Sequence, residues 1–236
     1  MTLESTVRAA GAIPRPGLWA IGRDHHDGVP ADFEVNWDDW RRDTVWAETM
    51  LARHGVGRGT PVLIVGGMEE SPWFDPFEHA VLNLGGHYCL GETHAFDAFR
   101  SALYARCLDV EVIVGINREV VEGFGDKLLE TLAHVRVILA RPDTMPLFTA
   151  AGLTAEIVTR VGPALAVECA PGSGTHINGS EWSVDEAGGE LLLTTVGPRA
   201  HVLDHARVSV RGTIRTDACA CGRADPRVDV DPARSM

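Results

Sequence analysis

Between residues 34 and 160, short apolar runs alternate with longer stretches in which apolar residues recur every three or four positions. The short runs are too brief for helices and carry many β-branched residues, so they read as buried strands: Pro61–Val65, His87–Leu90, Val110–Val114 and Val135–Leu139. The longer stretches read as helices. The first follows Asn36, a good N-cap, carries Trp37, Trp40, Val45 and Leu51 as an apolar stripe, and stops at Gly55. The others are Pro76–Leu84, Ala95–Cys107 with Phe96, Phe99, Leu103 and Cys107 on one face, and Arg118–Leu132. Strands separated by helices imply a largely parallel sheet with crossover connections.

The texture changes on either side of this region. Residues 1–33 are rich in Gly, Pro and polar side chains and read as a loose lead-in. From 161 to 228, short β-prone pieces (Ala164–Glu168, Glu190–Thr195, Arg207–Val210) sit between Gly, Pro and Asp, which predicts a small antiparallel or barrel-like unit. Residues 229–236 are polar and read as a frayed tail. The expected fold class is therefore α/β: a parallel sheet flanked by helices, followed by a small β-rich subdomain.

Charge narrows the range of partners. The net charge of −12 disfavours nucleic-acid phosphates and anionic lipid. The start of the chain lacks the apolar core of a secretory signal, and no apolar run is long enough to span a bilayer, so a cytoplasmic location is expected. The five cysteines are unevenly placed, which points away from a disulfide framework and toward metal. Cys169, His176, Cys219 and Cys221 make a possible four-ligand zinc site, three thiolates and one imidazole with no vacancy, which would be structural. Asp217 and Glu168 lie near these ligands in sequence and could tune them. The competing reading, ordinary buried cysteines with His176 on a loop, stays open. A second cluster, His87, Cys89, Glu92 and His94, lies at a strand end. Its catalytic reading makes Cys89 a nucleophile with His87 or His94 as base; its plain reading is a polar loop with a buried cysteine. His25 and His26 read as an exposed loop, and Trp37, Trp40 and Trp46 as a core-facing helix surface.

The order of motifs in the second half carries a resemblance. Gly162-Pro163-Ala164-Leu165-Ala166-Val167-Glu168-Cys169 is followed by Gly174-Thr175-His176, then Gly189-Glu190-Leu191, then Cys219-Ala220-Cys221-Gly222-Arg223. This series resembles the phenylacetate–CoA ligase branch of the adenylate-forming enzymes. The first half, with its helix before Gly55-Val56-Gly57-Arg58-Gly59, is similar to the same family more loosely. The resemblance implies the large domain of such a ligase, without its N-terminal part or its small C-terminal domain, and the same four metal ligands. It also implies where nucleotide chemistry would sit, and there the chain departs from the family. The phosphate loop matches residues 22–30, where only Gly28 and Pro30 keep the pattern and Asp24 and Asp27 stand near the phosphates. The magnesium-binding glutamate falls on Thr159, with Glu156 nearby on another face of the chain, and the ribose-binding aspartate falls on Ser209. ATP is therefore not expected as a cofactor. The expectation is a non-catalytic module that binds an aryl or acyl ligand or a partner protein, with a homodimer or a heterologous partner covering uncovered apolar faces. Three rivals are a ligase completed by a second chain, a different enzyme using His87, Cys89 or His94, and a decayed remnant with no function.

Overall fold

The computed structural model describes residues 17–231. Among the described residues thirteen strands form one sheet: eleven lie on a continuous hydrogen-bonded path, and the first two branch from it as a hairpin. The parallel part contains β3 (Pro61–Val65), β4 (His87–Gly91), β5 (Val112–Ile116), β6 (Val137–Ala140) and β7 (Glu156–Val161), in the order β4-β3-β5-β6-β7. Every residue of β3 and β5 is buried. Alternate side chains go to opposite faces. Val62, Ile64, Val112 and Val114 join one core with α1 (Trp37–Arg53) and α2 (Ser71–Asn83). Leu63, Val65, Ile113 and Ile116 join a second core with α3 (Ala98–Cys107), α4 (Arg118–Phe124), α5 (Leu128–Leu132) and α6 (Met145–Ala150). A sheet covered on both faces explains the unbroken apolar runs in the sequence.

Local chemistry sets the helix ends. Asn36 accepts from Asp38 N and Asp39 N, and Asp39 returns a bond to Asn36 N, closing a capping box. Three helices differ from their predicted extents: α3 starts at Ala98, after a single 3-10 turn over Ala95–Asp97. α2 begins at Ser71 rather than Pro76, because Pro72 already occupies its first turn and Pro76 is carried inside. The stretch predicted as one helix over 118–132 breaks at Gly125, whose φ of 54° suits glycine.

At β7 the sheet changes direction. β8 (Ala164–Glu168), β9 (Thr175–Ile177), β10 (Trp182–Ala187), β11 (Glu190–Thr195), β12 (Ala206–Arg215) and β13 (Arg227–Val230) pair antiparallel around a third core that includes Trp182, Leu191, Leu193 and Val228. A C-terminal β-rich region therefore follows a mixed α/β core.

Three expectations are corrected. Residues 18–36 are not a loose lead-in but a hairpin of β1 (Leu18–His26) and β2 (Val29–Asn36), attached to β12 at His26↔Val208. His25 and His26 are accordingly strand residues. The turn is Asp27-Gly28, both at positive φ (52° and 76°), the type I′ geometry that matches strand twist. The tail expected from 229 begins two residues inside β13, because Asp229 pairs with Thr213 and Val230 with Gly212. Val45 faces out, 60% exposed, while Thr44, Trp46, Ala47, Met50 and Leu51 form the buried side of α1. Residues 1–16 of the lead-in and 232–236 of the tail lie outside the described residues.

Candidate functional site

Four donors meet in the β-rich region. Cys169 directly follows β8. His176 is the middle residue of β9, paired on one side with Val167 and on the other with Arg227. Cys219 and Cys221 lie in the β12–β13 connection, in a turn closed by Gly222 N donating to Cys219 O at 2.9 Å, with Gly222 at φ 77°. The four ligand atoms all lie within 4.8 Å of one another. Two edges are 3.4 Å: Cys169 Sγ to Cys219 Sγ, and Cys221 Sγ to His176 Nε2. A tetrahedral zinc with Zn–S of about 2.3 Å and Zn–N of about 2.0 Å needs edges of roughly 3.5–3.8 Å, so the donor set and its spacing fit such an ion. His176 is fully buried, and its Nδ1 has no hydrogen-bond partner. Burial pushes its imidazole down to about 4, leaving it neutral and free to ligate. Burial also pushes the Cys169 thiol up to about 11, a preference that a bound divalent cation would reverse.

The surroundings hold this knot in place. Arg53, in the last turn of α1, donates to Cys221 O at 2.7 Å. Buried Arg227 donates to Ser173 O and Asp217 O and pairs with the Asp217 carboxylate at 3.2 Å. Glu168, adjacent to Cys169 in sequence, turns away: it accepts from Ile157 N at 2.9 Å and Gly174 N at 3.3 Å.

A second site lies beyond the carboxyl ends of β5 and β6, where open α/β sheets place ligands. It is a cleft of about 140 Å³ lined by Phe74, Asn117, Arg141, Asp143, Thr159, Arg160 and Ser209, among others. Thr159 and Ser209, fifty residues apart in sequence, are thus brought to one cavity. The cleft's cations are already engaged. Arg141 gives Glu70 two bonds of 2.6 Å, and Arg160 approaches Glu70 at 3.3 Å. Ser209 Oγ donates to Asp24 at 3.2 Å, while Asn117 Oδ1 and Asp24 Oδ2 are buried without partners. Burial raises the Asp143 carboxyl above its ordinary value, with Arg141 and Arg118 opposing. Glu156 is held elsewhere, 2.7 Å from His54 Nε2.

The stretch expected to be a remnant phosphate loop is the β1–β2 hairpin. Gly28 forms its turn and Pro30 pairs with His25 across it. A two-residue turn closed by strand pairing leaves no run of free amides to cradle phosphate. The Asp-Gly pair was the overlooked signal, since it is a strong short-range mark of a hairpin.

His87, Cys89 and His94 are spread along and beyond edge strand β4. The Cys89 thiol donates to Val62 O at 3.7 Å, and burial pushes it up to about 11, opposite to what a nucleophile needs. His87 is exposed, and His94 approaches Glu119 at 3.8 Å and stacks on Phe96.

No protein-family model matches the chain, and no curated protein matches it. Solved structures do. A 2-hydroxyisobutyryl-CoA ligase in the postadenylation state with R3-HIB-AMP aligns with a TM-score of 0.67 and 12% identity, over 95% of this chain and 54% of that one. ATP-bound MatB from Rhodopseudomonas palustris gives 0.57 and 14%, over 94% of this chain and 51% of that one. MenE from E. coli, with an analogue of OSB-AMS bound, gives 0.56 and 10%, over 92% and 49%. The chain thus spans about half the length of each, and at such identities the likeness shows a shared fold: nearly all of this chain is built like a part of these ligases.

Proposed function

We propose that this chain is a degenerate relative of the adenylate-forming ligases, of the phenylacetate–CoA ligase type, that binds without catalysing adenylation. One observation carries the reading. The two positions aligned with the family's magnesium-binding glutamate and ribose-binding aspartate, Thr159 and Ser209, line the same cleft, as an equivalent pair should. Both present a hydroxyl where the chemistry calls for a carboxylate. Adenylation must neutralise a polyphosphate and hold a divalent cation. Here Arg141 and Arg160 are spent on Glu70, and the residues aligned with a phosphate loop are strand and turn. The ligand expected in the cleft is a small aryl or acyl group, or part of one.

Zinc completes the proposal as a structural element. Cys169, His176, Cys219 and Cys221 would hold it, tying the end of β8 and the middle of β9 to the β12–β13 turn. A closed set of four protein ligands leaves no position for substrate. Such an ion contributes folding free energy to a unit with a modest apolar core.

Calorimetry on zinc-replete protein with ATP and with AMP, each with magnesium, tests the loss of nucleotide chemistry. The expected result is no heat of binding. Micromolar binding of either nucleotide would overturn the reading and restore an active ligase completed by a second chain, with Asp24 or Asp143 supplying the missing carboxylate.

A further inference from the structure

The apolar face predicted for α3 exists, but it points away from the sheet. Phe96 is 78% exposed, Phe99 80% and Leu103 47%. α3 meets the molecule instead through Ala98, Ser101 and Ala105. Beside the exposed stripe runs a furrow of about 610 Å³, with Ala98, Ala102 and Gly123 among its small residues and Phe124 and Lys127 on its far side. Aromatic rings that stand this far into solvent do not enclose a small ligand, which is normally buried over most of its surface. They are the knobs of a protein contact.

We propose that this face is a two-fold interface between two copies of the chain. An isologous contact needs a surface that carries both knob and hole, and here Phe99 stands beside the furrow it would fill in the partner copy. Charge fits the same arrangement. Lys127 is the sole lysine of the chain, and among the described residues its ammonium has no ion pair. Glu119, at the Ala95 end of the face, accepts from Ala95 N at 3.4 Å and has the His94 ring 3.8 Å away. In the proposed dimer Lys127 of each copy faces Glu119 of the other. In a chain of net charge −12, association is least opposed where the surface is apolar and carries Arg106 and Lys127. This deepens the partner part of the function proposed above, and its outcome is independent of nucleotide binding.

Sedimentation velocity on the full chain, with zinc content and far-UV circular dichroism as folding controls, tests it. The wild type is expected to dimerise at micromolar concentration. Phe99→Glu should raise the dimer dissociation constant about a hundredfold or more. Lys127→Glu and Glu119→Lys should each raise it about tenfold. The double variant, carrying both reversals in one chain, should return to near wild-type association, since only a Lys127–Glu119 contact between copies is rebuilt by the swap. A monomeric wild type, a Phe99→Glu variant that still dimerises, or a double variant weaker than either single one would overturn the proposal.

Discussion

The parallel half and the β-rich half of this molecule are stabilised in different ways. In the parallel half, β3 and β5 are buried over their whole length, and the flanking cores contain Phe33, Trp46, Trp73, Phe74, Phe77, Phe124 and Phe148. In the β-rich half, β10 and β12 keep many residues outside, and among the described residues Trp182 is the only aromatic in its buried core. The second half carries polar ties, Arg227 reaching two carbonyls and Arg199 joining Asp43 of α1 to Glu181 at 2.7 and 3.3 Å, and beside them the Cys/His cluster that could hold a metal. A sheet with helices on both faces can rely on burial. One wrapped around a small core needs cross-links that fix its ends.

This contrast can be broken most sharply at the knot. Removing metal with a chelator, or substituting Cys219→Ser, should give the largest loss, because on the order of 10 kcal/mol of binding free energy can be coupled to folding at such sites. Thermal unfolding with and without chelator, together with near-ultraviolet dichroism of Trp182, measures it. An unchanged melting temperature would mean that the β-rich half stands on its small core alone. In the parallel half, Ile113→Ala removes a fully buried side chain from β5 and should cost about 2–5 kcal/mol. It should leave zinc content untouched, which separates the two halves.

Smaller effects sharpen the boundary. Glu70 ties the loop after β3 to Arg141 after β6. Burial opposes its charge, but the hydrogen bonds and charge of Arg141 outweigh burial and hold its carboxyl below the ordinary 4.5. Its stabilising contribution is full above about pH 4.5 and is lost as pH falls through the lower folded value. Glu70→Gln should cost about 3 kcal/mol at neutral pH and flatten the acid limb of the stability profile. His54 behaves in the opposite sense. Burial lowers its pKa, but Glu156 prevails and raises it above 6.5. That contribution is full below pH 6.5 and is lost as pH rises through the folded value. His54→Gln should flatten the neutral-to-alkaline limb by about 1 kcal/mol, the smallest change of the series.

Much of the architecture was readable along the chain because it depends on neighbours in sequence. Pro61–Val65, Ala164–Glu168 and Glu190–Thr195 are strands with the expected bounds, and Asn36 caps its helix. Apolar runs, capping residues and turn glycines act over a few residues, so periodicity reports them directly. The Cys/His set was legible for a related reason: thiolate and imidazole at such spacing have few other uses together.

Other features depend on what approaches from far along the chain. The large apolar residues predicted to share one face of α3 lie outside, because hydrophobicity marks the larger side chains but not what covers them. The helix instead presents its small side inward, Ser101 beside Gly91 of β4 and Ala98 beside Gly123 of α4, so close packing decided the orientation. The hairpin over residues 18–36 is closed locally at Asp27-Gly28, and only its attachment to Val208 of β12 through His26 came from far along the chain. Glu156 was drawn to His54 rather than to the cleft, and Thr159 met Ser209 only because β7 and β12 both reach that cavity. Composition and local pattern thus set which segments are strands, which are helices and which donors are present. Which faces are covered, and which distant side chains share a cavity, was fixed by long-range packing, whose energies depend on partners that no local window contains.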